Sequence, residues 1–277
     1  MIRLLPLLLL FTGCVRDLDK SALGEPAREI FRDFDIDPAA LVGTLEAMDA
    51  AMDKLELEDK VRKRLYDVPE LTAEYFADVA VPKGIDTKDQ MRAGMVALSS
   101  HSVHDNLRAQ VEENMTCINA KSVTCHERVG ADDDGDAQCF LDGDCEVYRT
   151  ENTIRIESVI DFWIQAPVDF RWVALSDGRQ AAVGRTWMEN KYTNDNGKRE
   201  WRQRFGVDVF IEDPKNDKKT RRFYASWLAP SVNGIPGNFL QPAVRRGLDD
   251  GFVNPDEWLD DEQCDVKLSE CLADSPF

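Results

Sequence analysis

Histidine is scarce in this 277-residue chain, which has three: His101, His104 and His126. No HExxH occurs, and that helix-borne route to a catalytic zinc is missing. No two cysteines stand in the CxxC spacing of a zinc site. No GxSxG elbow is present, and no glycine-rich phosphate loop follows a strand pattern. Basic residues are in deficit, 34 against 52 acidic, for a formal net charge of −18. Such a surface repels nucleic acid and anionic headgroups at long range, which excludes a nucleic-acid partner. Apolar content is 43%, ordinary for a globular chain with a core.

The apolar run Leu4 to Phe11 is shorter than the ~20 residues a membrane-spanning helix needs. With Arg3 before it, it reads as a targeting segment over residues 1–13. It ends in Thr12-Gly13-Cys14, with Arg16 and Asp17 just after. This resembles the lipobox of bacterial lipoproteins, where a small residue precedes a cysteine that is acylated and becomes the new N-terminus. Phe11 and Thr12 depart from the usual Leu and smaller residue. The resemblance implies lipidation at Cys14 and a place in the cell envelope. Val15, where Asp would mark inner-membrane retention in enteric bacteria, implies the outer membrane. The plainer alternative is a cleaved signal peptide without lipid.

Seven cysteines are an odd count for an exported protein. Setting Cys14 aside leaves Cys117, Cys125, Cys139, Cys145, Cys264 and Cys271, which in an oxidising compartment read as three disulfides. Pairing of neighbours, 117–125, 139–145 and 264–271, is the simplest of the connectivities open to six cysteines.

Residues 14–27, polar with Gly24 and Pro26, read as a lipidated tether. Residues 28–114 read as a helical segment. Asp37-Pro38 starts a helix whose Leu41, Leu45, Met48, Met52 and Leu55 form one apolar stripe. A second helix from Pro69 carries Leu71, Tyr75, Phe76 and Val79. A third, capped near Asp86 or Thr87 and ending near Glu113, carries Met91, Met95, Leu98 and Leu107. Residues 115–149 form a cysteine-rich acidic loop with no Lys or Arg between Gly130 and Val147. Residues 150–277 hold a sheet followed by helices. Strands are expected at 154–164, 170–175, 181–189, 201–211 and 221–228, joined by short links such as Asn194-Asp195-Asn196-Gly197. Trp201, Phe205, Val207, Val209 and Ile211 are expected on one face of the fourth strand, with Arg202, Arg204 and Asp208 on the other. Leu240, Val244, Leu248 and Phe252, four apart, mark an amphipathic helix, and Asn254-Pro255 starts a shorter one. The expected class is α+β: N-terminal helices, an antiparallel meander of about five strands, a C-terminal helix and disulfide-stapled loops. Residues 28–277 read as one unit.

Three candidate chemistries follow from this pattern. His101 and His104, three apart on a predicted helix, could share a metal with a third ligand; a hydrogen-bonded or solvated pair is the plainer reading. Asp132, Asp134, Asp136, Asp142 and Asp144 supply oxygen ligands for calcium, but the run fails the EF-hand spacing and otherwise reads as a solvated turn. Residues 198–222 form a basic area in an acidic chain, in which Arg202 and Arg204 could share a face with Arg222. No catalytic set is assigned.

The strand series from Ile154 to Leu228 and the loop-helix GIPGNFLQPAVRRGL at 234–248 are similar to the helix-grip fold of START-type domains. There a curved antiparallel sheet wraps a C-terminal helix around an apolar cavity. The family's N-terminal strand before two helices is not evident in the pattern. The resemblance implies a non-catalytic protein that binds an apolar or amphipathic ligand, faced by Trp201, Phe205, Val207, Leu240, Val244 and Leu248. The rival readings are an assembly lipoprotein docking on another envelope protein, and an exported metal-assisted enzyme at His101 and His104.

Overall fold

Two long strands of alternating character carry the architecture. The computed structural model describes residues 21–55, 64–85, 87–131, 136–157, 161–194, 199–232 and 241–277. The strands are β8 (Arg199–Asp213) and β9 (Asn216–Val232), a hairpin at the centre of a nine-stranded antiparallel sheet. On one side follow β6 (Gln180–Trp187), β5 (Asp161–Ala174), β4 (Val147–Glu157) and β3 (Val123–Gly130), each pairing with its predecessor. On the other side lie β2 (Met91–Ser99) and the short β1 (Arg64–Tyr66). The two-residue β7 (Tyr192–Thr193) pairs with β8 off this path. The expected meander is present, with nine strands among the described residues rather than about five.

The sheet is covered on both faces. Its outer face meets α1 (Ser21–Ile36) and α2 (Ala40–Asp53). Leu23, Ala27, Ile30, Phe31 and Phe34 of α1 and Leu41, Leu45, Met48 and Met52 of α2 are buried against Val183, Phe205, Val207, Val209, Ile211, Phe223 and Trp227. These apolar spacings are the stripes of two amphipathic helices. Phe205 sits between Phe31, edge-on at 5.7 Å, and Phe76, stacked at 5.0 Å. The inner face meets α3 (Val103–Gln110), α4 (Ala137–Leu141) and α5 (Gln241–Asp261). A single turn, α6 (Leu268–Cys271), lies beside β3.

Several expectations are corrected. The third predicted helix is instead strand β2 followed by α3. Ser99-Ser100 breaks the strand, and Ser102 caps α3 in a reciprocal capping box with Asp105. Strands β1 and β3 lie in segments read as helix and as cysteine-rich loop, the single strand expected at 154–164 is divided between β4 and β5, and β2, also read as helix, lies beside the last strand, β9. The helix expected from Pro69 is only a 3-10 turn, Ala73–Tyr75. Helix α1 already begins at Ser21, inside the expected tether. The two helices expected after Gln241 are one, running through Pro255. Proline there leaves the Gly251 carbonyl without its helical donor; that carbonyl accepts from Arg222 Nη2 at 3.5 Å. The disulfides join Cys117 to Cys264, Cys125 to Cys271 and Cys139 to Cys145. Only the last follows the neighbour pairing; the other two fasten the C-terminal tail to the region of β3.

Candidate functional site

Residues directly opposite each other in an antiparallel ladder share a face. Register therefore assembles the inner face strand by strand. Phe210 stands opposite Arg222 and Ala182, Asp208 opposite Tyr224 and Gly184, and Gly206 opposite Ser226 and Thr186. The row through Tyr224 continues to Met95, and the row through Ser226 to Ala93. Across β5, β4 and β3 the face continues through Phe170, Tyr148, Val168, Thr150, Ala166, Asn152 and Arg128. Its middle is thus built of small side chains. A methyl at Gly184 would lie 2.8 Å from the Phe170 ring, and one at Gly206 2.8 Å from Thr186. Glycine at both positions lets the neighbouring side chains settle onto the sheet.

The face has two apolar ends and a charged centre. At one end Phe140, Tyr148, Val168, Phe170, Ala182 and Phe210 meet Val103 and Leu107 of α3. At the other, Met91, Ile154, Phe162, Ile164 and Met188 cluster with Ile156, Trp201 and Leu228. Between them stand Arg128, Arg204, Arg222, Asp208, Tyr224 and His126. Arg128 lies 5.2 Å above the Phe170 ring and Arg222 5.2 Å above Phe210, geometry that suits a guanidinium.

Hydrogen bonds fix part of this centre. His126 Nδ1 accepts from Asn119 Nδ2 at 2.9 Å, and its Nε2 donates to Asn152 Oδ1 at 2.8 Å. That pattern assigns a neutral ring. Burial, then the Arg128 charge, hold its pKa well below the usual histidine value. The same Asn152 oxygen accepts from Arg128 Nε at 2.8 Å, so Asn152 aims Arg128 across the face. Burial raises the Asp208 carboxyl to about 6, against the opposing pull of Arg222, Arg128 and Arg204. Burial brings Arg128 down to about 10. Arg128 is 4% exposed, and its Nη1 has no hydrogen-bond partner among the described residues.

Arg204, Asp208 and Tyr224 nevertheless keep partial solvent access, while Phe205, Val207 and Val209 on the opposite face have none. These three polar side chains are therefore half-buried on a face that is otherwise mostly enclosed. Helix α5 closes this side. Its Asp256 accepts from Ser99 at 2.6 Å and lies 3.9 Å from Arg222, and its Asp260 lies 3.3 Å from His101 Nε2.

The predicted site residues are distributed unevenly. Trp201 joins the inner apolar cluster, edge-on to Phe162 at 6.1 Å. Phe205 and Val207 face outward onto α1. A register shift between Trp201 and Arg204 explains the split, because one extra residue reverses which face the following side chains take. Val244 and Leu248 fall on α5, while Leu240 lies outside the described residues. Arg204 and Arg222 share the inner face as expected, whereas Arg202 is exposed and pairs with Glu200 at 2.6 Å. His104 is exposed and His101 precedes α3, so the two do not share one helix face. Among the described residues no three metal-ligating side chains converge. Asp136 caps α4 by accepting from Cys139 N at 2.9 Å, and Asp142 accepts from Gln138 at 2.8 Å. Asp144 sits in the loop closed by Cys139–Cys145. Asp132, Asp134 and Cys14 lie outside the described residues. Arg128, His126 and Asn152 were not singled out by sequence reasoning as a set. The alternation pattern points the wrong way here, because Arg128 is buried and the apolar Val129 beside it is exposed.

No family model and no curated protein matches the chain. Among solved structures it is similar to a STAR-related lipid transfer protein fragment from Xanthomonas axonopodis, at 12% identity and a TM-score of 0.47, covering 73% of this chain and 96% of that one. It is similar to a START superfamily protein from Mycobacterium smegmatis, at 6% identity and a TM-score of 0.37, covering 62% and 99%. It is also similar to the Zhui aromatase/cyclase from Streptomyces sp. R1128, at 7% identity and a TM-score of 0.39, covering 67% and 97%.

Proposed function

We propose that this chain is a lipid-anchored cell-envelope protein that holds an amphipathic ligand between the inner sheet face and its covering helices. The observation that carries the reading is a charged inner sheet face, covered by helices, on which Arg204, Asp208 and Tyr224 are half-buried rather than fully enclosed. Ala93, Ala166 and Ser226 present small side chains there, and the cluster of Met91, Ile154, Ile164, Trp201 and Leu228 offers an apolar end. A site of this composition, mostly apolar with a few placed polar groups, suits a small amphiphile. No step of chemistry is assigned to it. Three disulfides favour an oxidising compartment, and the lipobox-like Thr12-Gly13-Cys14 supplies the anchor and, with Val15, an outer-membrane address.

Native mass spectrometry of the gently extracted protein should show a lipid-sized adduct that is lost on denaturation. A bare polypeptide mass would count against a resident ligand and turn attention to docking on an envelope partner. Replacing Cys14→Ser should abolish metabolic labelling by palmitate and release the protein from membranes. Unchanged labelling would remove the anchor from this reading.

A further inference from the structure

We propose that the ligand of the inner face is an anionic amphiphile, its acidic headgroup held by Arg128 and Arg204 and its apolar chain laid toward Met91, Ile154, Ile164, Trp201 and Leu228. The inference rests on the reading above that this face holds an amphiphile, and adds the charge of the headgroup. Three guanidiniums, Arg128, Arg204 and Arg222, face two carboxylates among the described residues, Asp208 and Asp256. Asp256 already serves Ser99 and Arg222 on the side of α5. His126 adds no charge, because both its ring nitrogens are committed in the neutral form. Among the described residues this leaves one positive charge in excess, shared by the three guanidiniums around Asp208.

Arg128 is where that excess meets an open hydrogen-bonding position. Its Nε is fixed by Asn152 and its plane lies over Phe170, so the guanidinium cannot swing away to another partner. Its Nη1 is buried and has no partner among the described residues. A guanidinium buried with a hydrogen-bonding position unmet is costly unless an anion meets it. A carboxylate or phosphate oxygen does so with charge-assisted hydrogen bonds, of which guanidinium forks are the strongest donors. The alcohol end of a neutral lipid offers no charge and so cannot offset the burial. The apolar cluster adjoins this position: Ile154 stands opposite His126 on β3 and Ile164 on β5, one row along from Arg128 and Asn152. An acidic outer surface with a basic inner face also selects ligands that carry a chain to bury, since free small anions gain nothing to offset long-range repulsion.

The test is displacement of cis-parinaric acid from the full-length protein by matched pairs. Oleate is compared with oleyl alcohol, and oleoyl lysophosphatidate with monoolein, so that the first pair probes a carboxylate and the second a phosphate. In each pair that the site accepts, the anionic member should bind about tenfold tighter or more. Arg128→Met should bring the two members of the pair within about twofold, and Arg128→Lys should restore most of the difference. If acid and alcohol displace the probe equally well in the unmodified protein, the headgroup inference fails while the amphiphile reading stands. If neither the reporter nor any competitor binds, both fail. The ratio in the unmodified protein decides even if Arg128→Met does not fold.

Discussion

Replacing both Cys117 and Cys125 by serine is expected to leave the chain unfolded at ordinary temperature, whereas either single replacement should leave it folded but weaker. Cys117–Cys264 closes a loop with a sequence separation of 147, and Cys125–Cys271 one of 146. A first bond across such a loop stabilises by about 5 kcal/mol on the chain-entropy model. The second bond closes almost the same loop. Once the first is made, only the short segments 117–125 and 264–271 remain between its ends. A loop of about 15 residues is worth about 3 kcal/mol on the same model. Losing one bond should therefore cost about 3 kcal/mol, and losing both about 8 kcal/mol, comparable to the whole stability of a typical domain. Denaturation midpoints of the two single variants and the double variant measure this directly. A double variant no weaker than the singles would refute it. The same bonds hold the tail that follows α5, so a single variant should also release bound ligand faster.

How much of this was legible in the sequence differs element by element. Strands β8 and β9 were readable because one face of each is apolar and the other largely polar, the period-two signal of a sheet. Strand β2 was not, although it is as regular. Met91, Ala93, Met95 and Ala97 face inward while Val96 packs outward with α1 and α2, so both faces are buried and the alternation vanishes. Its Met and Ala then mimic a helical stripe, and pairing to β9 overrides that preference. The Ser102-x-x-Asp105 capping pattern did mark where the true helix begins. The face of Phe205 and Val207 was legible as a covered face, but hydrophobicity does not say what covers it. The N-terminal helices do, and the C-terminal helix sits over the charged side. The bulge between Trp201 and Arg204 leaves no sequence mark at all. The two long-range disulfides were out of reach for a different reason: six cysteines have too many pairings, and contact between residues more than a hundred apart is a property of the fold.

Asp35→Ala is expected to be among the most destabilising single substitutions outside the apolar core, by about 3 kcal/mol. Asp35 occupies the last turn of α1, where the helix dipole disfavours an acid. It is held there by three arginines of the sheet. Arg149 of β4 donates to it at 2.8 Å and Arg171 of β5 at 3.2 Å, and Arg185 of β6 also pairs with it. Phe34 beside it lies under Arg185 and Arg171, at 4.5 and 5.3 Å. Removing the carboxylate leaves the buried Arg171 and Arg185 and the half-buried Arg149 facing one another, which costs more than the loss of a surface pair. Asp169, 2.6 Å from Arg149, and Asp78, 2.7 Å from Arg185, remain and limit the loss. The pH dependence follows from the sign of the shift. Burial alone would raise the Asp35 carboxyl, but the Arg149 hydrogen bond and the charges of Arg185 and Arg149 carry it below its ordinary value of 3.8. A depressed acid contributes stability that is fully present above its unfolded value and is lost as pH falls through the folded one. The difference in unfolding free energy between the unmodified protein and Asp35→Ala should therefore be constant at neutral pH and close in the acid range below 3.8. Asp169 runs the other way: burial outweighs Arg149 and Arg185, its carboxyl is raised, and it opposes folding as pH climbs above the ordinary value. Part of that rise comes from Asp35 itself, so in Asp35→Ala the raised value should relax, and Asp169 should take a larger share of Arg149 and Arg185. Urea unfolding of both proteins at about pH 7, 4 and 3 separates these contributions. A gap that stays constant from neutral to acid pH would mean that Asp35 acts by shape, filling space at the end of α1, and the ionic account of how this helix grips the sheet would be wrong.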